Sequence, residues 1–163
     1  MPPRKQITKE QIIEKAYALS RANGFERLTV RILAAELHCS TQPIYVSFQD
    51  MKELKNTLAE KALQLMTCYM EKYEADKQPA LLSRILGYVE FANQEKHLYQ
   101  LIFSSEIMSQ DKVISLVHVE NELELNMLLY AHGIIMMSTF GTISMEWTQC
   151  KELILKAYQH FQN

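Results

Sequence analysis

The sequence predicts an all-α protein, and three observations carry that expectation. Only four glycines and four prolines occur in 163 residues, three of the prolines before residue 44. Leu, Ala, Glu, Lys, Gln and Met, all good helix formers, dominate the remainder. Apolar side chains recur at helical spacing through most of the chain. A composition of 48% hydrophobic and 22% charged residues is that of a globular chain rather than a disordered one.

The helices can be placed in order. Thr8 and Gln11 form a capping-box pair that opens a first helix carrying Ile12, Ile13, Ala16, Tyr17 and Leu19. Asn23-Gly24 closes it, because glycine accepts the left-handed backbone that ends a helix. Thr29 caps a short second helix over 30–37, with Leu28 placed to staple onto Leu33 and with Val30, Ala34 and Leu37 on its inner face. After His38-Cys39, Ser40 is expected to cap a third short helix over 41–47. There Pro43 sits in the first turn, where its missing N–H costs nothing. Asp50 and Glu53 open a fourth helix, through Leu54, Leu58, Ala62, Leu65 and Met66 to about Tyr73.

The polar stretch EADKQPA at 74–80 marks the boundary between halves, with the fourth helix as connector. Beyond it, apolar periodicity predicts helices at about 80–93, 95–105, 121–139 and 146–161, while Ser109 to Val119 is weakly patterned. The last two are apolar on more than one face (Leu125, Met127, Leu128, Leu129, Ile134, Ile135, Met136, Met137 and Phe140, then Trp147, Leu153, Ile154, Ala157, Tyr158 and Phe161). Such helices need partners on more than one side, and a second subunit is the expected source. Gly133, inside the longer of these two helices, suggests a close helix approach there.

Several function classes lose support. The N-terminus has no signal-like apolar run and no window reaches the roughly 18 apolar residues of a membrane span, which predicts a cytoplasmic chain with no membrane partner. Cys39, Cys68 and Cys150 match neither a zinc spacing nor a disulfide framework. His97, His118, His132 and His160 form no metal-binding motif, and Glu120, Glu122 and Glu124 scatter around a helix rather than pairing. We expect no enzyme, cofactor or metal site. Net charge is −2, yet residues 1–60 hold nine basic against seven acidic side chains and residues 61–163 eight against twelve. A more basic contact module followed by an acidic body has that polarity.

Two short helices joined by a tight turn form a helix-turn-helix, whose second helix enters the DNA major groove. Ile44 and Phe48 can face the core, leaving Thr41, Gln42, Tyr45 and Ser47 outside. A glutamine amide can pair with adenine, and a threonine can meet polar edges or a thymine methyl. The start of that helix offers amides to phosphate.

The segment from Thr8 to about Leu58, above all TVRILAAELHCSTQPIYVSFQDMKEL at 29–54, resembles the DNA-binding domain of TetR-type transcriptional regulators. The resemblance rests on Asn23-Gly24-Phe25, Thr29-Val30-Arg31, Ala34, Ser40, Ile44-Tyr45 with Phe48, and Lys52-Glu53-Leu54. It covers about a third of the chain. It implies a DNA-binding domain over residues 1–55 and a regulatory and dimerisation domain over 56–163. It further implies that Thr41, Gln42 and Pro43 lie in the groove, with Ser40 at its edge and Tyr45 on a phosphate. Thr29 and Arg31 would clamp one flank, Lys52 and Lys55 the other, with the arm Arg4-Lys5 adding a contact. The chain departs from the family pattern in having His38 where glycine is common, and Met51 where a lysine is, leaving Lys52 about 100° around the helix.

The resemblance also implies a homodimer formed by the last two helices, here Met136, Leu153, Ile154, Ala157, Tyr158 and Phe161, reading a palindromic double-stranded operator with half-sites roughly 34 Å apart. It implies a repressor released by a small-molecule effector in the body. Met66, Met70, Phe91, Tyr99, Phe103 and Met127 are candidate pocket residues, since Met-rich aromatic linings suit adaptable pockets, although the same pattern also describes plain core. The competing reading is a helical protein-interaction module with a repurposed helix-turn-helix.

Overall fold

The computed structural model describes residues 7–72, 79–107, 119–139, 141 and 143–162. Among these the chain forms eight α-helices: α1 (Lys9–Asn23), α2 (Val30–Glu36), α3 (Gln42–Ser47), α4 (Met51–Glu71), α5 (Ala80–Gln94), α6 (Lys96–Phe103), α7 (Glu122–Thr139) and α8 (Trp147–Phe161), with a 3-10 turn at Phe25–Arg27. No strand occurs among the described residues. Arg4-Lys5, Tyr73, Phe140, most of 74–80 and nearly all of the weakly patterned 109–119 stretch lie outside them.

Local side-chain chemistry sets the N-terminal boundaries. Gln11 N–H donates to Thr8 Oγ1 at 3.2 Å and Thr8 N–H to Gln11 Oε1 at 3.0 Å, the capping box in full. Gly24 closes α1 at φ 85°, a conformation only glycine adopts without cost. Ile32 N–H donates to Thr29 Oγ1 at 3.2 Å at the start of α2, and both Leu28 and Leu33 are buried in the core. His38 follows α2 at φ 53°, so histidine here takes the left-handed position that glycine fills more often. Asp50 caps α4 through Glu53 N–H at 2.8 Å, and Glu53 reaches back to the N–H of Gln49 at 2.7 Å.

Ser40 does not cap α3, contrary to expectation; Thr41 occupies that position without a side-chain bond. A capping side chain serves the second and third amides of a helix. The second residue here is Pro43, which has no N–H, and the third, Ile44, donates to the Thr41 carbonyl at 3.2 Å, as does Tyr45. A side-chain cap has nothing left to do.

α5 runs through the middle of the body, buried from Leu81 to Ala92 except at Arg84. α4 packs on α5 and α6, α5 on α7 and α8, α7 on α8, and α1 on α6 as well as on α2 and α3. One continuous core therefore joins the three-helix head to the body. A charged tie reinforces the junction: Arg21 of α1 forks onto Glu95, its Nε at 2.8 Å from Oε2 and its Nη2 on Oε1. Glu95 is buried, so the guanidinium supplies the compensation that a buried carboxylate needs.

Within the chain a close helix approach falls at Gly87. A Cβ on Gly87 would lie 2.5 Å from Met70 Cα and closer still to the Tyr69 carbonyl oxygen, whereas a Cβ on Gly133 would meet nothing within 4 Å among the described residues. The interface expectation also needs correction at Ile154 and Ala157. With Cys150 they fall at i, i+4 and i+7 on α8, and this stripe is buried in the chain's own core. Ile154 presents no surface to a partner, and Ala157 only 8% of its own. Met136 is exposed, and Leu153, Tyr158 and Phe161 are half-buried.

Candidate nucleic-acid interface

α3 is held from one side. Ile44 and Phe48, one turn apart, are buried in the core, and Lys9 Nζ sits 4.6 Å from the centre of the Phe48 ring. A six-residue helix is too short to persist alone, so these contacts hold it in place. Its outer face carries Gln42, exposed, Tyr45, 59% exposed, and Val46, 80% exposed. Thr41 and Pro43 are half-buried, and Ser40 is exposed beside them. Ser47 was expected to face outward, but its hydroxyl donates to the Pro43 carbonyl at 2.9 Å. Val46 was not anticipated; its signal is its place four residues after Gln42, on the same face.

The two flanks differ. On α2, Arg31 is exposed and has no ion-pair partner among the described residues. Thr29 is exposed with its oxygen accepting the cap bond, which leaves its hydroxyl proton available. On α4 both lysines are engaged. Lys55 is 18% exposed, 3.4 Å from Glu26 and 5.4 Å from the Phe25 ring centre, so it braces the 3-10 turn rather than facing outward. Lys52 lies 2.6 Å from Glu106, just beyond α6, whose backbone N–H donates to Asn56 Oδ1 at 3.3 Å. The carboxylate partner raises the Lys52 pKa, first through the hydrogen bond and then through charge. Lys52, one position past the Met51 that stands where the family has a lysine, thus meets the body, across a cleft of about 370 Å³ that Met51, Lys52, Ser105 and Glu106 help to line.

A larger cleft of about 1410 Å³ lies between α1 and the α2–α3 turn, with Gln42, Pro43 and Val46 along one edge and Glu10, Glu14 and Glu36 along another. Lys15 pairs with Glu36 at 3.7 Å and Lys61 with Glu14. Carboxylates repel phosphate, so that flank is unsuited to backbone contacts.

In the body, Met66, Met70, Phe91, Tyr99 and Met127 are buried and Phe103 half-buried; neither cleft is lined by them. Three polar groups meet among these apolar ones. The Tyr88 and Tyr99 hydroxyls are 3.1 Å apart, and His132 Nδ1 lies 3.0 Å from the first and 3.1 Å from the second. The Phe103 ring covers Tyr99 at 4.4 Å between centres and His132 at 5.6 Å. Two hydroxyl protons and one neutral imidazole are satisfied when one tyrosine donates to the other and that one donates to Nδ1, a tautomer inferred from the network. Burial raises both phenol pKa values and lowers that of His132.

A lowered histidine pKa in the fold means its neutral form is favoured there; the contribution is present above the ordinary value of 6.5 and is lost as pH falls through the lower folded value. The melting temperature is expected to drop on acidification from pH 7.5 to 5. His132→Asn, whose Oδ1 can accept in place of Nδ1 without titrating, should drop less; equal slopes in the two proteins would remove His132 from the account.

No protein-family description matches the sequence, and no curated protein matches it. Solved structures do. The chain is similar to a protein of unknown function from Rhodococcus sp. RHA1, with a TM-score of 0.68 at 19% identity over 99% of this chain and 96% of that one. It is similar to a TetR-like transcriptional regulator from the same source, with a TM-score of 0.64 at 14% identity over 93% and 94%. It is also similar to a TetR-family transcriptional regulator from Haemophilus influenzae Rd, with a TM-score of 0.60 at 15% identity over 93% and 94%. A helix-turn-helix head on an all-helical body is the architecture these molecules share. The fold of this chain is the TetR-type fold.

Proposed function

We propose that this chain is a sequence-specific DNA-binding transcriptional regulator of the TetR type. It acts in the cytoplasm as a homodimer that represses from a palindromic operator and is released by a small-molecule effector. The observation that carries the reading is α3: two buried anchors, Ile44 and Phe48, hold a six-residue helix whose remaining face is given to Gln42, Tyr45 and Val46. Nothing in packing requires that face; a duplex would use it. Thr41, Gln42 and Pro43 enter the groove with Ser40 at its edge, Tyr45 meets a phosphate, and Thr29 and Arg31 clamp one flank. Lys52 clamps the other once it exchanges Glu106 for phosphate. We assign residues 1–55 to DNA binding and 56–163 to regulation and dimerisation.

Tyr45→Ala combined with Lys52→Gln tests the reading. Both side chains are exposed and a glutamine amide can still donate to Glu106, so the variant should melt close to the wild type while losing at least about tenfold in operator affinity, two phosphate contacts being worth that much at moderate salt. Undiminished binding would favour the interaction-module reading.

The dimer is supported by the outer face of α7. Leu125, Leu129, Tyr130, Met136 and Met137 are exposed there, an apolar array that a monomer rarely leaves in water, and Tyr130 meets Phe161 of α8 at 6.1 Å between ring centres. Leu129, 61% exposed, is the residue to change: Leu129→Glu should give a folded monomer by analytical ultracentrifugation, and a dimer of unchanged affinity would place the interface elsewhere. The Tyr88–Tyr99–His132 cluster supports an effector subsite, being a polar point in an apolar body. If DNA affinity stays fixed across a screened metabolite set that includes ligands bound by the body, effector release fails while DNA binding stands.

A further inference from the structure

We infer that Val46 is a specificity-determining residue, and that the proposed operator carries a thymine whose C5-methyl packs against it, one to two base pairs from the base read by Gln42. The inference rests on the DNA-binding reading above and adds to it a base and a position.

Val46 is the most exposed of the large apolar side chains among the described residues, at 80%. Fold stability gives no reason for it. Valine is a modest helix former, restricted at χ1, and a short helix such as α3 would be better served by alanine or glutamine at a solvent position. Its neighbours in the helix have other tasks: Ile44 and Phe48 are in the core, and the Ser47 hydroxyl is spent on the Pro43 carbonyl. On the outer face this leaves Gln42 and Val46 at i and i+4, one above the other, with Tyr45 beside them.

Val46 stands beside Gln42 and Tyr45 at the rim of the larger cleft, whose deeper lining includes Ala34, Ala35 and Leu37; the group it holds out to solvent is one isopropyl, matched in size to a base edge. The major groove presents one apolar group, the thymine C5-methyl, and its other features are hydrogen-bond donors and acceptors that valine cannot satisfy. Valine over any other base leaves that edge desolvated and unpaired, so the residue both favours thymine and disfavours the alternatives. Four residues of helix advance about 6 Å, between one and two base-pair steps of 3.4 Å when the helix axis follows the groove. The amide of Gln42, whose natural partner is adenine, would then fix the register against which the thymine is counted.

The test uses the full chain and the tightest palindromic duplex recovered by selection from a randomised pool. Each thymine of one half-site is replaced in turn by deoxyuridine, which removes the methyl and keeps every hydrogen-bonding group. Wild-type protein is expected to lose about fourfold per half-site at one position, the value of one buried methyl, and Val46→Ala is expected to be indifferent to that same replacement. Because Val46 is exposed, the variant should melt with the wild type. Sequence-specific binding with no uracil-sensitive position overturns the proposal alone, and so does a uracil effect of equal size in Val46→Ala. If no palindrome is recovered and wild type binds all duplexes alike, the DNA-binding reading fails and this proposal with it.

Discussion

Replacing Gly87 by alanine is expected to destabilise the protein by about 2 to 4 kcal/mol, although alanine is the better helix former by about 1 kcal/mol. The added Cβ would sit 2.5 Å from the Met70 Cα and closer still to the Tyr69 carbonyl. Both are backbone atoms of α4, so no side-chain rotation relieves the overlap; α4 and α5 must move apart. Overpacking usually costs 1–3 kcal/mol, and more when backbone has to shift. Each helix has a buried face at this contact, with Met66 and Met70 on one and Leu86, Val89 and Phe91 on the other, so separation also loosens packing. Urea denaturation measures the effect. A variant as stable as the wild type, or more stable by the propensity gain, would show that the two helices do not meet at Gly87. Because α4 also carries Lys52, which we propose clamps a phosphate, a folded Gly87→Ala protein should bind DNA more weakly too.

Phe48→Ala is expected to cost about 3 to 5 kcal/mol and to abolish DNA binding with it. Truncating a buried phenylalanine loses its transfer free energy and leaves a cavity; Phe48 is 3% exposed, and the Lys9 ammonium loses its ring contact while keeping Glu53 at 3.9 Å. The larger consequence is local. α3 spans six residues and is anchored by Ile44 and Phe48, so removing one anchor lets the helix fray even where the rest of the chain stays folded. Phe48→Leu should recover most of the stability and part of the affinity. The comparison with Tyr45→Ala is informative, since that change should lower affinity with stability intact. Loss of stability in both, or of affinity in neither, would separate α3 from DNA binding.

The parts of this structure legible in the sequence are those decided by neighbours in the chain. The Thr8–Gln11 box, the Thr29 cap and the Gly24 stop each depend on a few adjacent residues, and each is where it was expected. Ser40 was misassigned for a reason also present in the sequence, because Pro43 removes an amide that a cap would serve. Tertiary geometry hid the remainder. Spacing marks Ile154 and Ala157 as apolar positions of α8 but does not say whether an apolar stripe meets the chain's own α5 and α7 or another subunit. Gly133 and Gly87 look alike as glycines inside apolar helices; only the crossing of α4 with α5 distinguishes them. Lys52 and Lys55 read as available cations until Glu106 and Glu26, from distant segments, are brought beside them. The outer face of α3 was legible in part: Gln42 and Tyr45 follow from polarity, whereas Val46 is apolar and its exposure follows only from its place four residues after Gln42, away from the buried Ile44 and Phe48.

The most direct test of the central claim is binding of the purified chain to the DNA upstream of its own gene, titrated against salt beside a scrambled duplex of equal length. The account predicts tight binding to one palindrome, with half-sites about one helical turn apart, and a preference over the scrambled duplex that persists as affinity falls with rising salt. Equal affinity for the two duplexes at every salt concentration would contradict it.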